Sequence, residues 1–156
     1  MTVQVISKEY DAPLAALIRK NLEEFHLDIP GTVYYDAGLD HLSEFYLADP
    51  ADRAYYCFLE YGKLAGGVGL ARFEGDCCEL QKLYLDPSVK GRGYGYVLMD
   101  HIENKAREMG FRKMYLETHT NLEAALHLYE KCGYRSIPRP DSVVHSTMNR
   151  FYIKDL

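Results

Sequence analysis

Cysteine is scarce in this 156-residue chain, which holds four: Cys57, Cys77, Cys78 and Cys132, with no C-x-x-C pair and no histidine cluster beside them. Adjacent Cys77 and Cys78 would face opposite sides of a strand, so neither structural zinc nor a disulfide framework is expected. The thiols read as buried and reduced, and no metal is expected. Long apolar runs are also missing. The longest glycine-rich apolar stretch, Leu64 to Ala71, is too short to span a bilayer, and Met1 to Lys8 lacks the basic start and long apolar run of an export signal. The expectation is a cytoplasmic protein without a membrane partner. No repeat, low-complexity segment or linker divides the chain. Positive charge is short in the first 60 residues, where 11 acidic side chains face 4 basic ones, against a net charge of −5 for the whole. That imbalance argues against a nucleic-acid partner and leaves an acidic half that would attract a cationic acceptor or merely be solvated.

What is present fits one domain over residues 1–156, with 47% hydrophobic and 26% charged residues. Thr2 to Lys8 reads as a strand. Asp11-Ala12-Pro13 then opens a helix whose apolar positions, Leu14, Leu17, Ile18, Leu22 and Phe25, run to about Leu27. His26 to Ala37 is loop-like, and Leu39 to Tyr46 suggests a short second helix. Three strands follow, Ala54–Glu60, Leu64–Phe73 and Cys77–Leu85, joined by turns at Tyr61-Gly62-Lys63 and Glu74-Gly75-Asp76. The period then changes, and Tyr94, Val97, Leu98, His101, Ile102, Lys105, Ala106 and Met109 mark a long helix closed by Gly110. Phe111–Glu117 reads as a strand and Asn121–Cys132 as a helix. After a Pro138-Arg139-Pro140 turn, a last strand is expected near Val143 to Ile153.

Between the third of those strands and the long helix lies Lys90-Gly91-Arg92-Gly93-Tyr94-Gly95. Glycines there either form a plain tight turn or let backbone N–H groups close on a phosphate at the helix N-terminus. A dinucleotide fingerprint fails because its third glycine would fall on Tyr96, and a P-loop fails because no Gly-Lys-Ser/Thr follows. A second conspicuous segment is Asn121-x-x-Ala124-x-x-x-Leu128-Tyr129-Glu130-Lys131-Cys132-Gly133-Tyr134.

Together these segments resemble the GCN5-related N-acetyltransferase (GNAT) family over nearly the full length. Lys90, Gly93 and Gly95 fall on its Gln/Arg-x-x-Gly-x-Gly/Ala pattern, with Lys90 in place of Gln or Arg. The resemblance implies an α/β (α+β) fold in the order β-α-α-β-β-β-α-β-α-β-β, a mixed, mostly antiparallel sheet of about seven strands flanked by about four helices. It also implies acetyl-CoA as co-substrate and a small-molecule or peptide amine as acceptor, and allows a homodimer through the late strands. Its coenzyme contacts would be Leu83, Tyr84 and Leu85 at the end of a bulged strand, Lys90, Gly91, Arg92, Gly93, Tyr94, Gly95 and Tyr96 at the phosphates, and Asn121, Ala124 and Lys131. Tyr129 would face the thioester sulfur as general acid, since a phenol of ordinary pKa about 10 can give a proton to a departing thiolate. An alkyl amine arrives protonated, so a base is needed. Glu79 lies eleven residues before Lys90, a spacing that resembles that of the glutamate base in the histone-acetylating branch, and Glu117 is its rival. Tyr34, Tyr35, Tyr55 and Tyr56 are candidates for the acceptor wall, and His145 for proton transfer. The alternative reading is a non-catalytic acyl-CoA-binding sensor, against which the presence of both Glu79 and Tyr129 argues.

Overall fold

The computed structural model describes residues 1–156 and places seven strands in one sheet. They are β1 (Thr2–Val5), β2 (Arg53–Glu60), β3 (Lys63–Glu74), β4 (Cys77–Leu85), β5 (Lys113–Thr118), β6 (Arg135–Ser136) and β7 (Arg150–Asp155), in the spatial order β1-β2-β3-β4-β5-β7-β6. Only the β4–β5 pair is parallel. Four helices complete the expected α/β order: α1 (Asp11–Glu24), α2 (Leu42–Leu47), α3 (Tyr94–Glu108) and α4 (Glu123–Lys131). No helix is long and apolar enough to cross a membrane.

Strand alternation sorts side chains between two cores. In β2, Tyr55 and Cys57 join a core with Leu14, Ile18, Leu22, Leu42 and Tyr46 of α1 and α2. Phe58 points the other way, into a core with Leu98, Met99 and Ile102 of α3 and Tyr129 of α4. One helix pair therefore covers each face, as the 3.6-residue apolar spacing of α1 and α3 requires.

Several boundaries differ from the sequence expectation, each for a local reason. α1 stops at Glu24 because His26 adopts φ +58 and Leu27 N–H reaches back to the Leu22 carbonyl, closing the helix while keeping Leu27 buried. β1 ends at Val5, since a 3-10 turn over Lys8–Tyr10 intervenes. α4 begins at Glu123 rather than Asn121, because Leu122 has ψ +60 and Asn121 belongs to the preceding turn. The last strand is confined to Arg150–Asp155, and residues 137–149 form a loop instead of its first half.

Buried Asp11 at the start of α1 holds that helix to α2. Its Oδ1 accepts from Ser43 N–H at 2.8 Å and its Oδ2 from Ser43 Oγ at 2.7 Å. Asp11→Ala would leave the buried Ser43 donors unpaired, and a loss of about 2–3 kcal/mol is expected as a lower urea midpoint with unchanged m-value.

Candidate functional site

β4 pairs with β5 only where Cys77, Cys78 and Glu79 meet Lys113, Met114 and Tyr115. Beyond Glu79 the two strands part, and a cavity of about 490 Å³ opens between them. A β-bulge shapes this end of β4. Gly69 of β3 partners Gln81 and Gly67 partners Tyr84, so a step of three residues on β4 faces a step of two on β3. Lys82 absorbs the extra residue at φ +51. The packing records the slip: Cys78 and Leu80 point to the α3 core before it, Leu83 and Leu85 after it, and Tyr84 turns to the opposite core. Tyr55 secures the bulge by donating its phenol to the Lys82 carbonyl at 2.8 Å. Gly67 and Gly69 make room for that ring, since a Cβ on either would lie 2.6 or 2.4 Å from it.

At one end of the cavity, β4 leads through a short turn into α3. Gly91 and Gly93 take φ +75 and +82, a conformation that favours glycine. The first carbonyls used by α3 serve Tyr96 and later residues, so the N–H groups of Gly91, Arg92, Gly93, Tyr94 and Gly95 donate to no backbone carbonyl. Five successive free donors at a helix N-terminus suit a phosphate. Lys90 stands beside them, its Nζ donating to Asn21 Oδ1 at 2.8 Å and lying 4.8 Å from the Phe25 ring centroid. Burial holds its pKa below the usual lysine value. The residues present therefore fit a phosphate-bearing coenzyme.

Further along the cavity wall stand Glu79, Glu117, Tyr129 and His145. Burial raises the pKa of Glu79, and its Oε1 accepts from Gln81 Nε2 at 2.7 Å while Tyr46 donates to Gln81 Oε1 at 2.7 Å. Its Oε2 has no partner in the protein. Both oxygens of Glu117 are engaged, one by His145 Nδ1 at 3.2 Å and the other by the Tyr115 phenol at 3.1 Å. Tyr129 is 7% exposed and no protein group hydrogen-bonds its hydroxyl. Burial drives its pKa further above the ordinary phenol value, so the hydroxyl keeps its proton at any physiological pH.

His145, in the cavity wall, joins two loops. Its Nε2 meets Asp36 at 2.9 and 3.1 Å and its Nδ1 meets Glu117, while Thr147 bonds the Gly31 and Pro30 carbonyls alongside. Hydrogen bonds to Asp36 and Glu117 raise the His145 pKa to about 9, so the ring is an imidazolium at neutral pH. Because the folded value exceeds the unfolded one, the stabilisation is complete below about pH 6.5 and is lost as pH rises through about 9. The difference in unfolding free energy between the protein and a His145→Gln variant is expected to shrink by up to about 3 kcal/mol between pH 6 and 10, measured by urea titration.

The fold brings together most of the residues singled out in the sequence. Glu79, Leu83, Tyr84, Leu85, Lys90, Gly91, Gly93, Tyr94, Gly95, Tyr96, Ala124, Tyr129 and Lys131 all line the cavity. Arg92 and Asn121 do not. The Arg92 guanidinium forms a two-pronged pair with Glu60 at 2.6 and 3.0 Å, and Asn121 Nδ2 donates to the Phe25 carbonyl at 2.9 Å. None of Tyr34, Tyr35, Tyr55 and Tyr56 is in the wall: Tyr34 bonds Glu23, Tyr35 is exposed, Tyr55 lies behind the bulge and Tyr56 packs on His101 across the sheet. Gln81, Lys82, Asn21 and Val33 line the cavity without having been expected there. For Lys82 a signal exists in the apolar spacing of β4, which steps from Leu80 to Leu83 and then Leu85, breaking the period of two where the bulge falls.

The fold is that of the GNAT acetyltransferases. A GNAT-family acetyltransferase from Staphylococcus aureus Mu50 superposes with a TM-score of 0.86 at 21% identity, covering 99% of this chain and 98% of that one. The PaiA N-acetyltransferase of Thermoplasma acidophilum, solved in complex with coenzyme A, superposes with a TM-score of 0.79 at 17% identity over the whole of both chains. The acetyltransferase (GNAT) family model matches residues 17–134, and the chain belongs to that family. Among its relatives is the uncharacterised N-acetyltransferase YjgM of Escherichia coli K12, 38% identical over 128 residues, which are 80% of this chain and 75% of that protein.

Proposed function

We propose that this enzyme passes the acetyl group of acetyl-CoA directly to a primary amine of a small molecule or peptide. The observation that carries this reading is the row of free N–H groups from Gly91 to Gly95, set at one end of a cavity whose wall also holds Glu79 and Tyr129. When bound, acetyl-CoA would supply an activated thioester. Gly91 to Gly95, with Lys90, would receive its phosphates, and Lys131 would add charge at the rim. The β4 edge around Leu83, Tyr84 and Leu85, which β5 leaves unpaired, would lie along the pantetheine arm and polarise the thioester carbonyl. Ala124 offers room for close approach, and Tyr96 borders the phosphate end. Arg92 would contribute through its backbone. Asn121 ties the end of α1 to the start of α4, and in the family pattern it bonds the pantetheine arm.

Glu79 would take the amine proton, for which its free Oε2 is better placed than either oxygen of Glu117. Tyr129 would give a proton to the departing sulfur, and its unpartnered hydroxyl inside the cavity supports that role. No acetyl-enzyme is formed. Incubation with acetyl-CoA and a panel of polyamines, amino acids, aminoglycosides and peptide amines, followed by free-thiol detection, tests the reading. Thiol release dependent on one acceptor class is expected. Tight coenzyme binding with no release on any acceptor would overturn it in favour of a sensor.

A further inference from the structure

Lys82 is the residue that the bulge inserts into β4, and its side chain enters the cavity wall with only 12% of its surface exposed. Its ammonium makes no hydrogen bond. The one carboxylate within reach, Asp36, stands 3.9 Å away and is already engaged through both oxygens by His145. Gln81, its neighbour, is bound to Glu79 and Tyr46. A buried ammonium is costly unless anions satisfy it, and a lysine with no hydrogen bond and only a distant, shared carboxylate in a ligand cavity is a place for a ligand's negative group. Glu79 lies in the same wall close enough for each charge to act on the other, and it has an oxygen to spare. The acceptor end thus presents one cation with no hydrogen bond, in loose contact with a carboxylate that His145 shares, beside one available carboxylate.

We propose that the acceptor is a free amino acid, its carboxylate paired with Lys82 and its amine set against Glu79. This rests on the acetyltransferase reading above. A polyamine or aminoglycoside would bring further positive charge against Lys82, a repulsion that a zwitterion turns into attraction. The bulge is what makes the arrangement: in a regular strand residue 82 would share the face of Cys78 and Leu80 and enter the α3 core.

The test pairs each amino acid with its own primary amide, which keeps shape and removes the negative charge. The amide's amine is the less basic of the two and sheds its proton more readily, so any preference for the acid runs against that bias. With acetyl-CoA, the acid is expected to exceed the amide in kcat/KM by at least about tenfold, and Lys82→Met to bring that ratio to about one. Calorimetry on the CoA-loaded protein is expected to give the same order of preference in Kd. Transfer to amines with a ratio near one in the wild-type enzyme overturns the amino-acid assignment and leaves the transferase standing. Lys82-dependent binding of the acid without thiol release supports the anion site and overturns the transferase reading. Neither binding nor release with any acid overturns the amino-acid assignment, and the transferase reading falls with it only if no other amine class releases thiol.

Discussion

Tyr129→Phe is expected to lower kcat by about 100-fold while changing the Kd for acetyl-CoA by less than about twofold. The ring itself is part of the α3 core, 7% exposed and edge-on to Tyr134 with centroids 6.1 Å apart, and phenylalanine keeps that packing. What the substitution removes is one hydroxyl that no protein group uses and that burial keeps protonated. A group with no structural bond to lose is diagnostic, because its removal leaves stability nearly untouched. Stopped-flow thiol release separates the chemical step from product release, and fluorescence titration gives the Kd. Unchanged turnover would remove Tyr129 from the mechanism. With the phenol as donor, the variant's deficit is also expected to shrink for acyl donors whose thiol is more acidic, since such a leaving group needs less protonation.

Glu79→Gln is expected to cost a comparable factor, about 100-fold in kcat/KM, and to change the pH profile in a way a positioning defect would not. As the proposed base, Glu79 would act as the carboxylate. Burial raises its pKa, so kcat/KM should climb with pH along a limb lying above the usual carboxylate range, and that limb should vanish in the variant. Glutamine keeps the volume and can still meet Gln81. Glu117→Gln is expected to act differently, because its oxygens hold His145 and Tyr115: the loop over residues 137–149 should loosen and the acceptor KM rise more than kcat falls. A Glu79→Gln enzyme within about threefold of wild type at every pH would assign the proton to another group or to water.

Much of the proposed coenzyme end was legible because its requirements are local. Gly91 and Gly93 need positive φ, the helix that follows shows its period over four turns, and Lys90 stands three residues before Gly93. Local geometry of this kind is written in consecutive residues. The Asn121 to Tyr134 segment placed Ala124, Tyr129 and Lys131 in the cavity wall for the same reason, although Asn121 itself turned to the Phe25 carbonyl, 96 positions away. The four tyrosines expected at the acceptor wall show the opposite case. A strand assigns Tyr55 and Tyr56 to opposite faces, yet nothing in their neighbours says that Gly67 and Gly69 clear a seat for Tyr55 or that His101 packs edge-on against Tyr56.

The sequence by itself determined the order of strands and helices, the apolar faces that make two cores, and the glycine turn before α3, because each depends on residues within a few positions of one another. The tertiary structure alone decided how the groups of the proposed acceptor end are paired. Asp36, Lys82, Glu117 and His145 come from separate parts of the chain, and their charges meet at 2.9 to 3.9 Å only after β4 bulges and the two loops come together. Electrostatics in a cavity depends on which groups remain unpaired once folding has paired the others; that remainder is here the Glu79 oxygen and the Tyr129 hydroxyl, with the Lys82 ammonium held by no hydrogen bond and only a 3.9 Å contact to Asp36.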